Sequence, residues 1–132
     1  MKGDPAGRPV FDASAALALL QGEKGSDKLR PLQATAVISA VNVAEVLAKL
    51  INRGLSVADA RAAYEALHLE TVPYDRGLAC ASTQYLAKDV SLGDRCFLAT
   101  ATHYGPGWTS DHDLHSPAGR AAVVRYFRRP DI

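Results

Sequence analysis

The chain has 132 residues, 48% hydrophobic and 22% charged, which is the make-up of one globular domain with an ordinary core. Lys and Arg number 15 against 14 Asp and Glu, so there is no bulk attraction for nucleic acid, and any polyanion must be held by a local patch such as Arg120, Arg125, Arg128 and Arg129. No apolar run reaches the ~18 residues of a membrane span, and the opening MKGDPAGRP lacks the apolar stretch of a signal peptide, so no membrane association and a cytoplasmic location are expected.

Residues 1–8 are read as a leader of no assigned role and 9–132 as a single domain, without repeats or linkers. Pro9-Val10-Phe11 is a short strand signal, and Ser14 followed by AALALL opens a helix that Gly22 stops. Lys24 to Gln33 holds a short helix interrupted by Pro31. Ala36 to Ser39 is a strand leading to Asn42, the expected N-cap of a helix running from Val43 to Gly54. Its stripe of Val43, Val46, Leu47, Leu50 and Ile51 has the helical period, which leaves Glu45 and Lys49 facing solvent or a cleft.

Ser56 caps a third helix, Val57 to Leu67, and Leu69 to Val72 is a strand closed by Pro73. Asp75 to Ala87 reads as helix, and Asp94 opens another, RCFLATATHY, stopped by Gly105 and Pro106. Cys80 and Cys96 lie in these alanine-rich runs and are read as reduced core thiols, too few for a disulfide scaffold. Trp108-Thr109 is a poor strand shortened by Gly107, whereas Ala121 to Phe127 is a good one. Strands alternating with helices imply a parallel sheet covered on both faces.

In such a sheet ligands collect outside the carboxyl ends of the strands. Asp12 follows the first strand, Glu45 sits in the first turn of the next helix, Asp94 opens a helix, and Asp111 follows Trp108-Thr109. Crowded carboxylates raise one another's pKa, and a divalent cation reverses that effect. Oxygen-only ligation favours Mg²⁺ or Mn²⁺ over zinc, and a pair of such ions clamps a phosphodiester for in-line attack by water.

The runs V10-F11-D12-A13-S14-A15, S39-A40-V41-N42-V43-A44-E45-V46, S91-L92-G93-D94-R95 and W108-T109-S110-D111 together resemble the PIN-domain ribonucleases, in particular the VapC toxins of type II toxin–antitoxin pairs. The resemblance spans about Val10 to Phe127 in the family's order and spacing. It implies a three-layer α/β/α sandwich around a short, mostly parallel sheet. It also implies Mg²⁺- or Mn²⁺-dependent endonucleolytic cleavage of RNA, with Asp12, Glu45, Asp94 and Asp111 as catalytic and metal-holding acids. Ser14 matches a small hydroxyl residue of the family and is, by that resemblance, a candidate substrate contact. A homodimer and a cognate antitoxin are the partners it implies. His112 stands where the family often has Arg, and Asp113 offers a second carboxylate beside Asp111.

Each acid also has a structural reading. Asp12 and Asp94 suit helix caps, Asn42 with Glu45 has capping-box spacing, and Glu45 with Lys49 is an i,i+4 pair. Four unrelated caps at strand ends and helix starts are the less economical account. Arg95, adjoining Asp94, and His112, adjoining Asp111, are candidates for phosphate contact, against a residue pointing away and a solvated histidine. His103, His112 and His115 lack the spacing of a closed zinc site. The competing functions are a non-catalytic adaptor of the same fold, a housekeeping nuclease, and a signalling receiver domain. The receiver would need paired early acids and a late Lys; a haloacid dehalogenase-type phosphatase would need Asp in place of Ser14.

Overall fold

The computed structural model describes residues 7–112 and 124–128. Strand β1 (Val10–Phe11) runs into α1 (Ala13–Gln21); α2 (Ser26–Leu29) and a 3-10 turn at Arg30–Thr35 lead to β2 (Val37–Ser39). Then come α3 (Ala40–Asn52), α4 (Val57–Glu65), β3 (Glu70–Val72), α5 (Arg76–Ser82), α6 (Leu92–Tyr104), β4 (Gly107–Thr109) and β5 (Val124–Tyr126). The strands form one five-stranded sheet of order β3-β2-β1-β4-β5 with every neighbouring pair parallel. This is the α/β fold anticipated from the alternation of strands and helices.

The strands are short, apolar and buried from both sides, and successive side chains serve opposite layers. Phe11 and Ile38 pack with Leu17, Val46, Leu50 and Tyr64 of α1, α3 and α4. Val10, Val37 and Val72 pack with Tyr85 and with Phe97 and Leu98 of α6. Among the described residues no helix is long and apolar enough to cross a membrane.

Several boundaries differ from the sequence reading, each for a local reason. Asp12, not Ser14, caps α1, accepting a hydrogen bond from the Ala15 N–H, and Gly22 ends it in the left-handed conformation at φ 61°. Ser39, not Asn42, caps α3: its hydroxyl accepts from the Val41 N–H, and Asn42 is buried one turn inside. Ser91, not Asp94, caps α6, and its Oγ accepts from the Asp94 N–H at 3.1 Å.

Of the α3 stripe, Val46 and Leu50 are buried, whereas Ile51 is exposed. The third helix stops at Glu65, and the span expected as one helix from Asp75 breaks into α5 and a 3-10 turn at Thr83–Tyr85. Gly107 belongs to β4 instead of shortening it, because a Cβ there would stand 2.6 Å from Cζ of Phe97. Cys96 is buried as expected, but Cys80 is exposed, because α5 packs against α6 and the core through Leu78 and Ala81 on its other side. Residues 121–123 of the last expected strand lie outside the described residues.

Candidate metal centre

The sheet order places β1 between β2 and β4, so the chain leaves β1 toward one side and later returns on the other. The carboxyl ends of β1 and β4 flank this switch point, where an open parallel sheet leaves a crevice. The register Phe11 to Trp108 sets the next residues of the two strands, Asp12 and Thr109, side by side.

Asp12 is 8% exposed, and its carboxylate is fixed from three directions. Oδ1 accepts from the Ser14 hydroxyl at 2.6 Å and from the Ala15 N–H at 3.0 Å; Oδ2 accepts from the Thr109 hydroxyl at 2.5 Å. A carboxylate offers about four lone-pair positions, so these bonds leave Oδ2 with room for one more partner. The two hydroxyls also accept in turn: Ser14 Oγ from the Ser110 N–H and Thr109 Oγ1 from the Asp111 N–H, both at 3.0 Å. The loop bearing Asp111 is thereby tied to Asp12. The sequence reading places Thr109 in a strand but assigns it no role in the site; the signal for that role is a hydroxyl residue on the strand that lies beside β1.

Glu45 reaches the same rim from α3, with Oε1 accepting from the Asn42 side-chain amide at 2.8 Å. This bond joins two side chains, so the expected capping box does not form, and no Glu45–Lys49 ion pair forms among the described residues. Asp94 stands in the first turn of α6, half-buried, and feels the other acids. Burial first, then the charges of Asp111 and Glu45, push its carboxyl above the usual range against a hydrogen bond from Ser91. Burial raises Asp12 from 3.8 to about 6 despite its hydrogen bonds from Ser14, Thr109 and Ala15, with a further upward push from Asp94. Asp94 thus shares an electrostatic interaction with each of Asp12, Glu45 and Asp111.

Neither Asp12, Glu45 nor Asp94 has an ion-pair partner among the described residues; the ion pairs there join Arg8 to Glu70 and Arg53 and Arg128 to Glu23. Asp12 and Asp94, both held above the usual carboxylate range and without a cationic partner, have together with Glu45 the oxygen-donor chemistry that suits a hard divalent cation. Among the described residues no group of three or more His, Cys, Asp or Glu side chains is arranged so that it could hold a metal ion as it stands.

The suggested phosphate contacts behave differently. The Ser14 hydroxyl is engaged by Asp12 and Ser110. The Arg95 guanidinium donates to the Val90 carbonyl at 3.3 Å. His112 stacks on Tyr126 with ring centroids 4.2 Å apart, and its Nε2 lies 2.8 Å from the Arg128 carbonyl oxygen. Arg128 itself pairs with Glu23, and Asp113, His115, Arg120 and Arg129 lie outside the described residues.

Among solved structures, the chain is similar to a DNA-bound VapBC from Salmonella typhimurium, with TM-score 0.74 and 14% identity over 92% of this chain and 98% of that one. It is similar also to VapBC2 from Rickettsia felis bound to a promoter DNA fragment, with TM-score 0.67 and 10% identity over 89% and 97%. VapBC-5 from Mycobacterium tuberculosis, a member of the VapBC toxin–antitoxin family, shares 26% identity over 92% and 99%, with TM-score 0.57. No curated protein matches the chain significantly. The family model for the PIN domain matches residues 10–118, nearly the whole described fold and every one of the converging acids, and the chain belongs to the PIN domain family.

Proposed function

We propose that this chain is a metal-dependent endoribonuclease and the toxin of a toxin–antitoxin pair. The observation that carries the reading is that Thr109 ties Asp12 to the Asp111 backbone while the Glu45 carboxylate lies against Gly93, next to Asp94, with no cationic side chain paired to Asp12, Glu45 or Asp94 among the described residues. Asp12, Glu45, Asp94 and Asp111 would hold Mg²⁺ or Mn²⁺, with Asp12 contributing Oδ2, the oxygen that its neighbours leave least occupied. Such an ion, when bound, neutralises phosphate charge and supplies the Lewis acidity for in-line attack of water on a phosphodiester.

The chain's own residues act by placement. Ser14 and Thr109 hold the Asp12 carboxylate in one orientation, and through the Ser110 and Asp111 amides they keep the fourth acid beside it. Both hydroxyls donate to Asp12, one to each carboxylate oxygen. The toxin assignment draws on the VapBC structures the chain resembles. An acidic rim suits a partner presenting a basic segment, which is the chemistry expected of a cognate antitoxin. A homodimer and a cytoplasmic location complete the proposal.

Induced expression in a bacterial host tests it. Growth should stop while cellular RNA fragments accumulate, and co-expression of the protein encoded next to this chain should restore growth. Unimpaired growth at high levels of folded wild-type protein would assign the domain to housekeeping RNA cleavage or adaptor work instead.

A further inference from the structure

Gly93 occupies the second position of α6, a 13-residue helix, with ordinary backbone geometry. Alanine is the better helix former at such a position, so the glycine goes against local preference. Its reason is steric. A Cβ at residue 93 would overlap Oε2 of Glu45 and stand 2.6 Å from its Cδ and 2.8 Å from Oε1. The Glu45 carboxylate therefore rests directly on the α6 backbone, in the space a side chain would fill.

Asn42 secures the same carboxylate from α3. Its Nδ2 donates to Glu45 Oε1 at 2.8 Å and to the Gly93 carbonyl at 3.3 Å, bridging two helices whose residues are 51 apart in sequence. The amide has only one sensible orientation, because flipping it would set Oδ1 against a carboxylate and a carbonyl, both acceptors. Asn42 is 2% exposed, and its Oδ1 is buried without a hydrogen-bond partner, a cost that an apolar residue would avoid. Two locally unfavourable choices, a helical glycine and a buried amide, meet on one carboxylate.

We propose that Gly93 and Asn42 are positioning residues that seat Glu45 beside Asp94, the glycine by leaving room and the amide by holding Oε1. This rests on the metal-centre reading of Glu45 and Asp94, but the seat itself is a property of the metal-free protein.

The test is a cycle of Gly93→Ala, Glu45→Ala and the double variant, read by thermal melting in EDTA and by calorimetric titration with Mn²⁺. In the wild-type background the added methyl group must displace the Glu45 carboxylate, so Gly93→Ala should raise the melting temperature by less than it does without Glu45, and should weaken Mn²⁺ binding at least roughly tenfold. In the Glu45→Ala background the clash is gone; the same substitution should now raise the melting temperature through better helix propensity and leave Mn²⁺ binding unchanged. Asn42→Ala should likewise weaken Mn²⁺ binding only while Glu45 is present. Equal effects of Gly93→Ala on melting in both backgrounds would overturn the seat. A wild-type protein that takes up no Mn²⁺ would remove the metal-centre reading, and the melting cycle would still decide the seat by itself.

Discussion

Asp12→Asn is expected to stabilise the metal-free protein at pH 7.5 and to abolish RNA cleavage. Burial raises the Asp12 pKa from 3.8 to about 6, so the folded state holds this proton more tightly than the unfolded chain does. For an acid the sign follows directly. Below about pH 4 the carboxyl is neutral in both states, and its contribution to stability is greatest there. Between about 4 and 6 the unfolded chain ionises first and stability falls; above 6 the full cost of a buried charge remains. At about 1.4 kcal/mol per pKa unit that cost is roughly 3 kcal/mol. Asn keeps the cap on α1, since Asn and Asp are comparable N-caps.

Part of the gain is lost because the Asn amide must face either Ser14 or Thr109, where both carboxylate oxygens now accept. A net gain of about 1–2 kcal/mol, several degrees in melting temperature, is the expected result in EDTA. The gap should close at pH 4.5, where the wild-type carboxyl is largely protonated. A variant less stable than wild type at pH 7.5, with the gap unchanged at pH 4.5, would show that burial of charge is not what the hydrogen bonds around Asp12 oppose.

Asp94→Asn should leave the fold intact and lower cleavage more than about 100-fold. Loss of an outer partner of a metal ligand already costs roughly 10- to 100-fold, and Asp94 interacts electrostatically with each of the other three acids. The substitution keeps the backbone bond from the Asp94 N–H to Ser91 Oγ, so α6 retains its cap. Neutralising Asp94 relieves burial and repulsion from Asp111 and Glu45, while removing a favourable charge from a helix start, roughly 0.3–1 kcal/mol. The circular dichroism spectrum should match wild type. Full activity in this variant would take Asp94 out of the catalytic group, and an unfolded variant would make it structural.

Much of the order of strands and helices was legible because α1 and α3 follow short β-branched or apolar runs and because α1 and α6 end at Gly22 and Gly105; α4 and α5, which end at Glu65 and Ser82 without such a stop, were read too long. Starts were harder where two capping residues lie close together. Between Ser39 and Asn42 the choice depends on where β2 ends, and that is set by the pairing of Ser39 with Val72 on β3, which the local sequence does not contain. Ser91 and Asp94 have the same ambiguity, though their spacing is that of a serine cap with an acid three residues on.

The acids were singled out as a set because all follow strands or stand at helix starts. Thr109 was not, since its role depends on β1 pairing with β4 across 97 residues. Gly93 resembles a loop glycine until the position of the Glu45 carboxylate is known. Arg95 and His112 were singled out by adjacency along the chain, but the direction of a side chain follows from its helix phase or its stacking partner.

The central claim, that the acid cluster cleaves RNA through a divalent cation, is tested most directly by incubating the purified chain with structured RNA in the presence of Mn²⁺ or Mg²⁺ and then adding EDTA. Cleavage should begin with the metal, stop with the chelator and resume when excess metal is restored. Cleavage that continues undiminished in EDTA would contradict the account.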